Sequence, residues 1–182
     1  AGAIENVIQS VGREGFVKAV TSRSSWQRDE AASLGTEVHR LADILNNGGK
    51  VQSDSEAIMR RVMAYADWWQ SAGWTLRLSE AMIVNTQWGY GGRFDLLALD
   101  ADGRTVLADI KTGKGVYREA VLQLAAYGAF TDTVVQFTDG KVYPMPHVDR
   151  FVVLHVTTDG VREVELAVGA QEQTAFLACK DL

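Results

Sequence analysis

The chain has 182 residues, of which 47 % are apolar and 23 % charged, enough for one domain with a real core and short of two full ones. A net charge of −5 argues against a protein that coats nucleic acid non-specifically, but it leaves room for a small basic groove beside metal-binding carboxylates. The single cysteine, Cys179, excludes an internal disulfide and a cysteine-ligated cluster and fits a reducing, intracellular home.

No run reaches the apolar length of a membrane span, and no signal peptide is visible. The first residue is Ala1 rather than Met, which reads as a trimmed or processed protein or a piece of something longer. Residues 1–182 are expected to form a single domain, with 1–30 as an N-terminal extension in which a helix near Glu5–Ser10 fits.

From Asp29 to Asn47 the pattern is helical. Ala31, Leu34, Val38, Leu41 and Leu45 recur at spacings of three and four, and Gly48 offers a stop. "SDSE" before a second helix, Ser55 to Ala72, is a capping-box signature, with Ser53 as the cap and Glu56 reaching back. Ile58, Val62, Tyr65 and Trp69 make the apolar stripe of that helix.

The period then switches to two. "SEAMIVN", "GRFDLLAL" and "TVLADIK" read as three strands, followed by a helix over 116–129. Asp139-Gly140 and Asp159-Gly160 mark the turns of two later hairpins, and "AQEQTAFLACK" reads as a closing helix. The order predicts an α/β or α+β fold, a central mixed sheet containing a three-strand antiparallel meander with helices packed on it.

The register of the meander carries the chemistry. In the second strand Asp95, Leu97 and Leu99 share a face by alternation, and in the third Leu107, Asp109 and Lys111 do. A three-residue loop, Ala101-Asp102-Gly103, with Gly103 left-handed, pairs Leu99 with Thr105, Leu97 with Leu107 and Asp95 with Asp109. A two-residue Asp102-Gly103 turn would instead shift the pairing by one and separate the carboxylates. Under the first register both carboxylates are expected to face the first helix, with Cβ atoms about 4.5–5.5 Å apart.

Two facing carboxylates repel and raise one another's pKa. A divalent cation between them accounts for the pair, and hard oxygen ligands suit Mg²⁺ or Mn²⁺. Lys111, on the same face, is then within reach to orient or deprotonate an attacking water, or to offset charge building on a phosphate. Taken alone, Asp109 and Lys111 are a common polar strand end; with Asp95 in register the catalytic reading prevails.

Asp95 in "GGRFD" and "DIK" 14 residues on resemble the PD-(D/E)XK nuclease superfamily, and the detail is closest to its RecB-like exonuclease branch, which includes CRISPR-associated and phage enzymes. That branch has G-x-x-x-H on an upstream helix, here Gly35 to His39, and an acidic residue on the preceding strand, here Glu80. It also has Q-x-x-x-Y on the following helix, here Gln123 to Tyr127. The ordered set spans about residues 35 to 127. Many CRISPR-associated members hold an iron–sulfur cluster on four cysteines; with Cys179 alone this chain is expected to lack it, which points to phage or bacterial relatives.

The resemblance implies a restriction-endonuclease-like core and a Mg²⁺- or Mn²⁺-dependent DNA nuclease, exonuclease by preference, acting in recombination, repair or processing. The metal ligands it implies are His39, Asp95, Asp109 and the Ile110 carbonyl, with Glu80 either a further ligand or a solvated strand end. Lys111, Asp95, Asp109, Glu80, Gln123 and Tyr127 form the implied catalytic group. Gln123 and Tyr127 share a helix face, either bracing Lys111, reaching a DNA phosphate, or simply packing Tyr127 on the core.

Lys114, Tyr117 and Arg118 open the same helix, where backbone N–H groups favour anions; they are candidate phosphate contacts, and Trp88 a candidate base contact. Of the other histidines, His147 and His155 read as structural. The expected partners are DNA, single- or double-stranded and bound at ends, and a further protein of a recombination or processing complex; no membrane is expected, and the location is the cytoplasm of a bacterium or a phage-infected host. Two rivals stand beside this reading: a catalytically silent nuclease-fold module that binds DNA or a partner, and a metal-dependent hydrolase of small phosphorylated molecules.

Overall fold

The structure, a computed structural model, describes residues 30–113, 115 and 118–180. The helix considered near Glu5–Ser10 lies outside these residues. Helix α1 spans Glu30–Asn46 and α2 Glu56–Ala72. The meander follows as β1 (Thr75–Asn85), β2 (Tyr90–Leu99) and β3 (Thr105–Lys111), then helix α3 (Arg118–Gly128). Strands β4 (Thr133–Gln136), β5 (Val142–Pro144), β6 (Arg150–Val156) and β7 (Val161–Leu166) complete the sheet, and α4 (Ala170–Lys180) closes the fold.

The seven strands lie in the order β5-β4-β1-β2-β3-β6-β7. All neighbours are antiparallel except β3 and β6, which pair in parallel from Val106↔Arg150 to Lys111↔His155. The sheet is therefore mixed, and the fold is the expected α/β class. The chain between them, residues 112–149, carries α3, β4 and β5 and supplies the long crossover that a parallel pair requires.

Alternation assigns the two faces. Leu107, Phe151 and Val153 pack with Ala120 and Leu124 of α3, and α4 joins that side through Phe176, whose ring meets that of Tyr90 at 4.9 Å. Val106, Ala108, Val152 and Leu154 pack on the other side with Ala42 of α1 and Tyr65 of α2. Val38, Leu41 and Val62 seal α1 against α2. Trp68, Trp69 and Trp74 form one aromatic cluster with Tyr65, with centroid separations from 5.1 to 6.5 Å; they belong to the core and rim of this layer.

The β2–β3 loop closes as the sequence suggests. Gly103 has φ +80, its N–H donates to the Asp100 carbonyl, and Asp100 N–H donates to the Arg104 carbonyl, which leaves residues 101–103 as a three-residue loop. The Asp100 carboxylate ties the turn down, accepting from the Asp102 and Arg104 amides, from Arg104 Nε at 2.9 Å and from Arg150 Nη1 at 3.0 Å. Both later hairpins turn at the expected Asp-Gly pairs, with Gly140 at φ +77 and Gly160 at φ +148.

One cap differs. Ser55, not Ser53, is the N-cap of α2: its Oγ accepts from Ile58 N–H, while Ser53 Oγ, two residues earlier, accepts from Ser55 N–H. A serine two residues either way satisfies the same pattern, and Ser55 has the extended backbone a cap needs, φ −87 and ψ 113.

Candidate metal centre

The β2–β3 ladder pairs Leu99↔Thr105, Ala98↔Val106, Leu97↔Leu107 and Leu96↔Ala108. This is the three-residue-loop register, and the paired rungs end at Leu96, one residue short of Asp95. There a side chain takes over from the backbone: Asp95 Oδ2 accepts from Ile110 N–H at 2.6 Å. In a strand a residue's N–H and C=O leave on the same side, so the Ile110 carbonyl is directed toward the β2 side as well.

The alternation of β2 breaks at Asp95. Leu97 packs on the α3 side and Leu96 on the α1–α2 side, yet Phe94 also packs on the α3 side. Strand β1 makes the same switch, with Leu78 and Ala81 both on the α3 side. The flanking rungs are Ser79↔Leu96 and Ala81↔Phe94, so Glu80 and Asp95 occupy the rung where both strands turn over. Glu80 has φ +50, the one positive φ of a non-glycine residue among those described. A carboxylate-bearing residue held there costs about 1–3 kcal/mol of backbone strain, a price met most often at functional positions.

This corrects the expected geometry of the two aspartates. Asp95 does not stay on the face of Leu97; it turns to α1, where His39 Nδ1 lies 3.3 Å from its Oδ1. Asp109 keeps the parity of Leu107, and its carboxylate goes to Lys111. Nζ donates to Oδ1 at 2.9 Å and lies 2.8 Å from Oδ2, but its angle leaves buried Oδ2 with no hydrogen bond. Asp95 reaches the first helix as expected; Asp109 pairs with Lys111 instead, within the electrostatic reach of Asp95 and His39.

The residues that converge are His39, Glu80 and Asp95, which each offer one ligand atom within 4.8 Å of the others. Asp109 is not one of this trio, although the charges of Asp95, His39 and Lys111 all act on it. Glu80, open between two readings from sequence, belongs to the cluster. Gly35, one turn before His39, lets α1 lie close to the end of β3: a Cβ there would stand 3.2 Å from Thr112 Oγ1. Asp43, one turn after His39, accepts from Ser79 Oγ; its i, i+4 spacing from His39 was the signal for it.

The electrostatics follow from crowding three carboxylates with few cations. Burial pushes His39 down, but the charge and hydrogen bond of Asp95 and the charge of Asp109 together raise it to about 9. Burial pushes Asp95 up, and His39, Ile110 N–H and Lys111 outweigh it and hold it low. Asp109 is raised to about 6 by burial and by the charge of Asp95, against the pull of Lys111. Glu80 is raised by burial and by Asp95, against Arg93. Burial would lower Lys111, but the Asp109 ion pair raises it, so Lys111 stands as an ammonium.

Gln123 and Tyr127 share the inner face of α3. Gln123 Nε2 donates to Tyr127 Oη at 3.4 Å, and burial raises the pKa of that hydroxyl against the pull of Gln123 and the Arg93 backbone. The Tyr127 ring lies against Gly92, where a Cβ would come within 2.5 Å of Cε1. The pair therefore braces the Gly92–Arg93 backbone of β2. Its hydrogen bonds go there and not to Lys111.

Trp88 sits in the β1–β2 turn, 40 % exposed, with its ring 6.2 Å from that of Phe130. The strand from Tyr90 to Asp95 separates it from the cluster by about 16 Å at roughly 3.3 Å per residue. Arg118 opens α3; Lys114 and Tyr117 lie outside the described residues. His155 Nε2 is 2.8 Å from the Gly113 carbonyl, a structural tie as expected, and exposed His147 lies 3.7 Å from Asp149.

Sequence reading did not single out Arg93, which pairs with Glu80 at the mouth of the cluster, Nε to Oε2 2.8 Å. Its place two residues before Asp95 on a strand was the available signal. Among the described residues no helix is long and apolar enough to cross a membrane.

Comparison with known proteins adds little. No family model matches the sequence, and no curated protein matches it. The crystal structure of SSO0001 is similar over 97 % of this chain and 84 % of that one, at 15 % identity and a TM-score of 0.36, a likeness too loose to carry any argument.

Proposed function

We propose that this chain is a divalent-metal-dependent DNA nuclease of the RecB-like PD-(D/E)XK type, with a restriction-endonuclease-like core. The observation that carries the reading is the convergence of His39, Glu80 and Asp95 within 4.8 Å, beside the ion-paired Asp109 and Lys111. The donor set fits Mn²⁺ or Mg²⁺: carboxylate oxygens with one imidazole, with the ion pair of buried Asp109 and Lys111 beside them. His39, Glu80 and Asp95 would hold the ion, with the Ile110 carbonyl and Asp109 as further oxygens. A divalent ion there supplies Lewis acidity, lowering the pKa of water and offsetting phosphate charge.

The chain's own groups do the rest. Asp95 is fixed by Ile110 N–H, so the strand that carries Lys111 also aims Asp95. Lys111, an ammonium in its pair with Asp109, suits a hydrogen-bond donor to the scissile phosphate or the leaving oxygen better than a proton acceptor. Gln123 and Tyr127 hold the β2 backbone beside the cluster. Hydrolysis of a phosphodiester follows from attack of water on phosphorus in line with the leaving oxygen. DNA is the proposed partner, together with a protein of a recombination or processing complex, in the cytoplasm of a bacterium or phage-infected host.

One observation favours a second reading, a silent binding module. Two of the acids already have internal cations, Asp95 with His39 and Glu80 with Arg93, so the folded site neutralises itself in part. Labelled oligonucleotides incubated with Mn²⁺, beside a phosphate-release assay on nucleotides, separate the readings. Cleaved oligonucleotide supports the nuclease; bound but intact DNA supports the module; phosphate release alone supports a small-molecule hydrolase.

A further inference from the structure

Arg93 closes the cluster from outside. Its Nε is 2.8 Å from Glu80 Oε2, and its side chain is 62 % exposed while that of Glu80 is 21 % exposed. An ion pair with one end so open is held weakly and exchanges readily. Its buried end is the opposite of loose: Glu80 is pinned at φ +50 on the rung shared with Asp95 and lies within 4.8 Å of His39 and Asp95. The Arg93 backbone is held as well, by its place opposite Met82 in the β1–β2 ladder and by the Tyr127 ring beside Gly92. Its side chain is the exposed part.

A divalent cation ligated by Glu80 and Arg93 paired with Glu80 compete for the same carboxylate. When one enters, the other must leave. The displaced guanidinium stays anchored two residues from Asp95 and has its planar donor edge open to solvent. That edge matches a phosphate oxygen pair.

We propose that Arg93 is an exchangeable counter-ion, which holds Glu80 until a divalent cation takes that carboxylate and then binds a phosphate of the DNA strand. It is a substrate-positioning residue, and this inference deepens the nuclease reading and rests on it for its DNA half. The metal half stands on the Glu80–Arg93 pair alone. The exchange also couples the two ligands: each helps release the internal pair that the other must break.

Two measurements test it on the full chain. Calorimetric titration with Mn²⁺ in the absence of DNA compares wild type with Arg93→Ala, and repeats the comparison in a Glu80→Gln background. The expected result is tighter Mn²⁺ binding by Arg93→Ala, with the gain lost when Glu80 is already Gln. Unchanged or weaker Mn²⁺ binding overturns the proposal, because it makes Arg93 a mere support for Glu80. The second measurement is oligonucleotide binding in Ca²⁺ as a function of salt. Arg93→Ala should bind more weakly and lower the slope of log K against log salt by about 1, and Arg93→Lys should recover part of the loss. Wild-type binding with an unchanged slope in Arg93→Ala overturns the DNA half. If wild type takes Mn²⁺ but binds no oligonucleotide, the nuclease reading falls with that half, while the Mn²⁺ titration still decides the exchange.

Discussion

Asp95 and Ile110 are joined side chain to backbone, Oδ2 to N–H at 2.6 Å, at the point where the β2–β3 ladder gives out. The bond substitutes for the next ladder rung. It also fixes the geometry of the proposed metal centre, because the strand that ends in Asp109 and Lys111 sets where the Asp95 carboxylate lies. Everything proposed for this site depends on that junction and on the turned-over Glu80–Asp95 rung beside it.

Divalent metal should stabilise the protein. An ion that binds the folded state at 100 times its dissociation constant adds about 2.7 kcal/mol, which for a chain of this size is roughly 5–11 °C in Tm. Melting curves in Mn²⁺ and in EDTA measure it. Asp95→Asn and His39→Ala should lose most of the shift, and Lys111→Ala should keep it.

The metal-free protein should have a pH signature from His39. Its folded pKa, about 9, lies above the ordinary 6.5. The imidazolium therefore contributes stability that is fully present below pH 6.5 and lost as pH rises through about 9. Metal needs the neutral ring, so Mn²⁺ affinity should climb over the same window. Melting in EDTA from pH 6 to 10 should show the decline in wild type and a flatter profile in His39→Ala.

Asp109 has the opposite bearing on function and stability. Its pKa, raised to about 6, means that ionising it in the folded state is unfavourable compared with the unfolded chain, so the stability it allows below pH 3.8 is lost as pH rises through 6. Asp109→Asn should therefore melt at or above the wild-type temperature near pH 7.5 in EDTA, while losing cleavage. A marked fall in Tm would show that the Lys111 ion pair outweighs the burial of the charge.

Gly92 should resist substitution. A Cβ would meet Tyr127 at 2.5–2.8 Å, at two ring carbons and the hydroxyl, so Gly92→Ala must push the ring off β2, at about 1–3 kcal/mol by overpacking. Thermal melting checks this. Tyr127→Ala in the same chain should restore most of the loss, since it removes the three nearest atoms.

Much of this architecture was legible in the chain itself. The Gly103 loop fixed one register out of two, and the Asp-Gly hairpins and the His39 helix fell where their spacing put them, because each is set by local backbone chemistry. The parallel β3–β6 pair was not, since no local pattern announces which distant strand will dock. The site was half legible. Asp95, Asp109 and Lys111 came from register and His39 from resemblance, but strict period-two reading cannot foresee a rung that turns over. That turn at Glu80 drew Glu80 and Asp95 together, took Asp95 off the face of Leu97, and brought Arg93 to the site unannounced.

Lys111 should act on the chemical step. Single catalytic groups of this kind contribute about 10²–10⁴-fold, so Lys111→Ala should lose that much single-turnover rate with Mn²⁺ and DNA binding retained. Lys111→Arg should rescue only in part, because a guanidinium keeps the charge but not the shape.

The most direct measurement of the central claim is single-turnover cleavage of an end-labelled oligonucleotide at saturating Mn²⁺ by wild type and by Asp95→Asn. The account predicts labelled fragments with wild type, none in EDTA, and a rate lower by at least about a hundredfold in Asp95→Asn. Intact DNA with the metal-loaded wild type, or equal cleavage by the two proteins, would contradict it.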